Sequence, residues 1–454
     1  MEKKLGLPSA IAVGVGLIVA SSCLLSLGQG IGLAGKGFIV SMFIVLILNI
    51  CLALSFNELY NIMPNVDGGL GQYTKAGLGS VPSMIANISA YVVVNLLAAS
   101  VEIAMCGIVV NSTFLPQVPA PVISVLFLIL LAFVNYRGID MFSKIQNVVV
   151  SLLLLSLIGM GICSFFKLGT GTVIEAAAQT EPVVTGMGGY ISLSAMAFWL
   201  FIGIEFVIPV AKDLKNPKRD VPLAMILGVT MLFIIQSVLG SGMTNYVTLE
   251  ELASSDMPHM VFAYNLFGHA GEVWMGIVTI LAAVSTANTV LGSIPRVLGG
   301  MAENDLFPSV FTKKNKHDVN IAGLLLIAIG DGILIITGFT DSSTLSTLLL
   351  AASCFWLTAY ALINLTVLIL RKRFPNLPER NKKLTLFGIP QVLAIIGDIY
   401  MIVNIAEGDE RIFIFKLYGI ILAIMIVFAV VWVKCVKKQP MFQGATLEEI
   451  RSMK

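Results

Sequence analysis

The stretch AMAFWLFIGIEFVIPVAKDLKNPKRDVP, Ala195 to Pro222, decides how this chain folds. An apolar run carries one glycine and one carboxylate, Gly203 and Glu205, in its middle. It ends in Lys212, Asp213, Lys215, Lys218 and Arg219, and then a second apolar run begins. A charge at the centre of a bilayer costs at least about 2.5 kcal/mol, so Glu205 requires a partner or water. Non-helical backbone survives in lipid only where protein covers it or a cavity adjoins it, because each unpaired N–H or C=O costs several kcal/mol. Gly203 followed by Glu205 therefore reads as a break in a membrane helix beside a cavity. The basic cluster reads as the loop that follows it.

Composition supports a membrane setting. Of 454 residues, 57% are hydrophobic and 12% charged, whereas soluble domains carry about 25% charged residues. A span needs about 20 mostly apolar residues. Twelve candidate spans lie near 8–33, 38–62, 81–112, 118–136, 145–166, 188–211, 221–247, 271–298, 319–339, 343–370, 387–406 and 412–435. The expected fold class is an all-α polytopic membrane protein with 12 transmembrane helices. Residues 1–436 are expected to form one transmembrane domain and 437–454 a cytoplasmic tail. No second soluble domain and no cleavable signal peptide are expected.

Lysine and arginine orient the spans, because they resist translocation. With both ends in the cytoplasm, all but four of the 28 lie on the inner side; the exceptions are Lys36, Lys167, Arg411 and Lys416. The stretch from Tyr246 to Gly271 holds Glu250, Glu251 and Asp256 without Lys or Arg, and reads as an extracellular loop. The three histidines, 259, 269 and 317, are assigned to loops, and the six cysteines to membrane core. Their spacing forms neither a disulfide framework nor a metal site, so no metal and no cofactor are expected. No G-x-x-x-x-G-K-[ST] phosphate loop occurs, no nucleophile or metal cluster marks an enzyme, and nothing reads as a carbonyl-lined filter.

A second break is legible in the first span, AIAVGVGLIVASSCLLSLGQG, where Gly14 and Gly16 precede Ala20, Ser21 and Ser22. Interrupted spans one and six are five apart, the spacing of a five-plus-five inverted repeat. Half-helix ends at such breaks offer N–H dipoles to an anion and C=O groups to a cation. Close helix packing is the other reading of the small residues.

FIGIEFVIPVAKDLKNPKRDVPLA resembles the sixth-span signature of the amino acid–polyamine–organocation superfamily, F-x-G-x-E followed by K-N-P-x-R-x-[IV]-P-x-A. SFNELYNIMPNVDGGLGQY resembles that family's second-span exit and the loop that follows it, and VNYRGIDMFSKIQN and RVLGGMAENDLFPSVF resemble its fourth- and eighth-span exits, so the resemblance covers about residues 8–375. It implies the leucine-transporter fold: spans 1–5 (about 8–166) and 6–10 (about 188–370) as inverted repeats, plus two C-terminal helices (about 387–435). It also implies a permease or antiporter in the cell membrane, working by alternating access. Departures are present. Ala20-Ser21-Ser22 stands where the family carries G-S-G. One extra residue precedes Gly68-Gly69, and Gly71 replaces an aromatic. No lysine lies between Asn147 and Lys167, where some proton-coupled relatives carry one.

Several residues are candidates for contact with substrate. Glu205 either gates the pathway or binds a cation, or else pairs with N–H groups freed by the break. Glu102, in the third span, serves recognition of an amino group, proton coupling, or a buried hydrogen bond to another helix. Asn95 lies seven residues before it on the same helix face. By resemblance to the arginine/agmatine antiporter branch, Trp199 stacks on a cationic substrate; a packing aromatic is the alternative. Phe198 and Phe201 are candidate lids, and Ile18, Ser21, Ser22, Asn95, Ser100, Ile202 and Gly203 map to the cavity. That branch's second stacking aromatic is replaced by Val290, which does not support an arginine-specific pocket. Asp331 and Asp398 read as structural, and Ser285 and Thr286 as candidate sodium ligands. The expected partners are the lipid bilayer, an amino acid or amine substrate with polyamines or organic cations as the alternative, and a coupling proton or sodium ion or an exchanged solute.

Overall fold

The computed structural model describes residues 6–452 except 65, 67–68, 139–141, 209–210, 212–213 and 381–385. Lys212 and Asp213 of the basic cluster, and Gly68 with the extra residue expected before it, lie outside the described residues.

Helices dominate. In chain order they are α1 (Leu7–Ile18), α2 (Ser21–Ala34), α3 (Phe38–Ile62), α4 (Gly69–Leu78), α5 (Ser80–Asn87), α6 (Val94–Thr113), α7 (Ala120–Tyr136), α8 (Phe142–Phe165) and α9 (Gly186–Ser192). There follow α10 (Ser194–Phe198), α11 (Pro217–Met243), α12 (Leu249–Ser254), α13 (Pro258–Glu303), α14 (Ile321–Ile336), α15 (Leu345–Arg373), α16 (Ile389–Val403), α17 (Gly408–Val430) and α18 (Leu447–Ser452). Among the described residues there is no named strand; an isolated antiparallel bridge joins Lys314 and Asn320. Seven helical stretches among the described residues are long and apolar enough to cross a membrane, or eight counting the bent pair Gly186–Ser192 and Ser194–Val207. Shorter apolar helices add Ala120–Tyr136, Val150–Phe165 and Ile321–Ile336.

Local chemistry sets several helix starts. Prolines 217, 258 and 390 sit in the first turns of α11, α13 and α16, where a missing N–H costs nothing. Thr248 caps α12 by accepting from the Glu251 N–H, and Asn320 caps α14 by accepting from the Gly323 N–H.

The third span is continuous from Ser80 to Thr113 but passes through a π-helical turn, Ile88–Val93. Its later part, α6, lies at the centre of the bundle and packs against α7, α13, α14 and α15. Residues that face outward on α14, α16 and α17, such as Ile333, Ile396 and Ile424, are exposed and apolar, as a lipid-facing surface requires.

Three expectations need correction. The stretch from Tyr246 to Gly271 is not an open loop, because α12 and the first turns of α13 occupy it. Charge counting cannot see this, since the apolar residues Leu249, Leu252, Phe262 and Leu266 are buried there. His259 is accordingly a fully buried residue in the first turn of α13 rather than a loop residue. His269 also lies in α13, just past a kink at Phe267 and Gly268, where it faces Glu272. Finally, the segment after the second span folds as α4. There Gly71 has a visible function: its N–H donates to Asn87 Oδ1 (2.8 Å) and its carbonyl accepts from Ser83 (2.7 Å). A Cβ on Gly71 would meet Asn87 at 2.2 Å, so an aromatic side chain is barred.

Candidate functional site

The first break falls between α1 and α2, at Val19 and Ala20, whose backbones are extended (φ −78°, ψ 105° and φ −115°, ψ 164°). Neither requires positive φ. Any residue adopts this backbone, and β-branched valine favours it, which is why the break survives without glycines. Ser21 and Ser22 then open α2 with their N–H groups unclaimed by the helix.

The claimant is Glu102. Its Oε1 accepts from the Ser22 N–H (2.9 Å), and its Oε2 accepts from the Ser21 hydroxyl. All three residues are fully buried. Ser22 is engaged a second time, since its hydroxyl accepts from Trp199 Nε1 at 2.9 Å. An indole N–H is only a donor, so this bond fixes the tryptophan ring against the start of α2.

Trp199 belongs to the second break. After α10 the chain runs through a 3-10 turn, Trp199–Phe201, then an extended Ile202 and a left-handed Gly203 (φ +102°, ψ 22°), and re-enters a 3-10 turn over Ile204–Val207. The expectation of a broken helix over 188–211 is met in its first half. Past the break the backbone is 3-10 rather than α. Two of the freed backbone groups take side-chain partners, as burial favours: the Leu200 carbonyl accepts from Gln236, and the Gly203 N–H donates to the Tyr360 hydroxyl. The Ile18 and Trp199 carbonyls both lie within reach of the Cys23 thiol. Ile18 comes within 3.7 Å of where a Cβ on Gly203 would stand, so the two breaks face each other.

Glu205, just past the second break, is held from another helix. It accepts from Tyr360 Oη (2.6 Å) and Trp356 Nε1 (3.2 Å), both on α15. Because Tyr360 in turn accepts from Gly203, the carboxylate stabilises the break through one intermediary. Phe198 packs edge-on to Tyr360, and Phe206 edge-on to Trp356. Trp356 and Tyr360 went unread in the sequence. Their signal was available, since aromatics four apart in CFWLTAY share one helix face.

The structure thus brings Ile18, Ser21, Ser22, Glu102, Trp199, Ile202, Gly203 and Glu205 to two facing breaks. Asn95 and Ser100 are turned back on their own helix. Asn95 donates to the Ala90 and Tyr91 carbonyls in the π turn, and Ser100 donates to the Leu97 carbonyl. Asn95 therefore shares a face with Glu102 in register only. Phe198 and Phe201 are buried. Asp331 is fully buried, with neither oxygen hydrogen-bonded among the described residues. Ser285 is buried within α13. Among the described residues no group of three or more His, Cys, Asp or Glu is arranged to hold a metal. A cleft of about 560 Å³ lies away from the breaks, between α8 and α13, with walls that include Leu152, Leu155, Phe267 and Trp274.

Comparison with known proteins gives the family. A family model described as amino acid permease matches residues 5–444. The branched-chain amino acid permease BcaP of Bacillus subtilis is 24% identical over 435 residues, covering 89% of this chain and 88% of that one. The putrescine transporter PotE of Escherichia coli K12 is 23% identical over 403 residues, covering 85% and 86%. The mitochondrial cationic amino acid transporter 3 of Arabidopsis thaliana is 29% identical over 198 residues, 42% of this chain and 30% of that one. These relatives are transporters, not enzymes, and the family resemblance read from the motifs is borne out.

Proposed function

Because the chain belongs to the amino acid permease family, we propose that it is a secondary transporter carrying an amino acid or related amine across the cell membrane, with the two facing breaks as its substrate site. The observation that carries this reading is the bond from Trp199 to Ser22, which joins the breaks of two helices 177 residues apart. Half-helix ends supply recognition without moving parts, and alternating access then requires one bundle to rock around a fixed site.

In this reading twelve spans form the 1–436 domain, as two five-helix inverted repeats plus two helices. Both ends face the cytoplasm, and 437–454 is the tail. Ile18, Ser21, Ser22, Glu102, Trp199, Ile202 and Gly203 bound the site. Phe198, Phe201 and Glu205 control access, because Glu205 ties the second break to α15. Opening the site means trading those two hydrogen bonds for water. Each hydrogen bond to a charged group contributes about 1.5–3 kcal/mol, a scale that permits closure without locking it.

Radiolabelled uptake into proteoliposomes tests the proposal. A carrier gives saturable flux that unlabelled solute inside the vesicles accelerates. Unsaturable flux without counterflow would replace the carrier with a channel.

A further inference from the structure

At the first break the place for an anion is already filled. The Ser22 N–H and the Ser21 hydroxyl, at the start of α2, converge on the two oxygens of Glu102. In a broken transporter helix this end, with its positive dipole, receives the anionic group of the solute. The occupant here comes from the chain itself, 80 residues away. A second observation points to what it awaits. Glu102 is fully buried, and among the described residues no Lys, Arg or His pairs with it. Of the other buried carboxylates with several polar partners, Glu58 is held by Arg371 and Arg380, and Glu205, at the second break, by the neutral Tyr360 and Trp356. Glu102 has hydrogen bonds but no cation.

We propose that Glu102 stands in for the substrate's carboxylate, so that this protein selects organic amines that lack a carboxylate of their own. The ammonium of the amine pairs with Glu102 beside the carbonyl end of α1, and the Trp199 indole flanks the same point through Ser22. A free amino acid would bring a second carboxylate to N–H groups that are occupied, next to a like charge, and is disfavoured twice. Glu102 is in this way a specificity-determining residue, and the inference rests on the transporter reading above.

The test uses purified full-length protein in proteoliposomes and solute pairs that differ by one carboxylate: putrescine against ornithine, and isoamylamine against leucine. The wild type is expected to take up the amine of at least one pair at least tenfold faster than its amino acid, and only that amine raises the melting temperature of the protein. Glu102→Ala vacates the N–H groups and should shrink or invert the ratio. Glu102→Gln, which keeps the shape and an acceptor for Ser22 but not the charge, covers the case in which the alanine variant does not fold. It should lose amine uptake tenfold or more at an unchanged melting temperature. Equal or faster uptake of the amino acids by the wild type, with ratios indifferent to Glu102→Gln, would overturn the inference and leave the transporter standing. No saturable flux of either pair or of any standard amino acid would remove both.

Discussion

Two buried carboxylates, Glu102 and Glu205, sit at the two breaks and differ in their partners. Glu102 is held by a serine hydroxyl and a backbone N–H, Glu205 by an indole and a phenol. The difference predicts unequal responses to neutralisation. In Glu102→Gln the Ser21 hydroxyl can rotate to accept from the new amide and turn its proton toward Met105, already 3.9 Å away. In Glu205→Gln the single amide oxygen can serve only one of the Tyr360 and Trp356 donors, and the other loses its acceptor. Glu205→Gln should therefore cost about 1–3 kcal/mol, the penalty of a buried unsatisfied group, and Glu102→Gln less. Melting temperatures in detergent check the order; equal losses would contradict the partner assignment. The carboxylates were legible in the sequence as charges inside apolar runs, but their partners were not. Nothing in NLLAASVEIAMCG points to Ser21, and the Asn95 amide, read as facing the cavity, instead closes the π turn.

At the scale of the element, the two breaks are built by different means. The first uses extended backbone at Val19 and Ala20, while the second uses Gly203 at φ +102° with the Phe206 ring 2.8 Å from any added Cβ. Gly203→Ala should therefore destabilise by about 1–2 kcal/mol from the left-handed backbone alone, with further loss from the ring. Gly188→Ala, in α9 with nothing within 4 Å of the new carbon, should be neutral or stabilising by about 0.5–1 kcal/mol. A thermal melt of the pair separates the two effects, and similar melting temperatures would mean that the second break does not depend on glycine. The position of the first break was legible to within one residue, because small residues inside an apolar span advertise it. Its backbone shape was not, because the missing glycines implied a cost that extended geometry avoids.

Across the whole molecule, distant segments are tied at the end of the bundle where α3 and α15 terminate. Glu58 accepts from Arg371 Nη2 (2.5 Å) and Arg380 Nε (2.6 Å), linking the end of α3 to the end of α15 and the turn beyond it. The Arg373 guanidinium donates to the carbonyls of Ala76, Gly444 and Ala445, and so pins the tail onto α4. Removing one partner of a buried ion pair costs about 3–5 kcal/mol, because the remaining charge is stranded. Glu58→Gln should thus lower the melting temperature by several degrees. An unchanged melt would assign the cluster to the surface in solution.

The sequence alone determined the helical class, the membrane setting, the position of the apolar stretches and the existence of both breaks. Each of these follows from sums over neighbouring residues: hydropathy, charge, and the backbone freedom of single positions. Tertiary structure alone decided that Glu102 closes the start of α2, that Tyr360 and Trp356 hold Glu205, and that His259 lies buried in α13. Those outcomes depend on which helices touch, across separations of 81 and 155 residues in the polar pairs. A buried polar group takes whatever partner the packing presents, and local pattern carries no record of that choice.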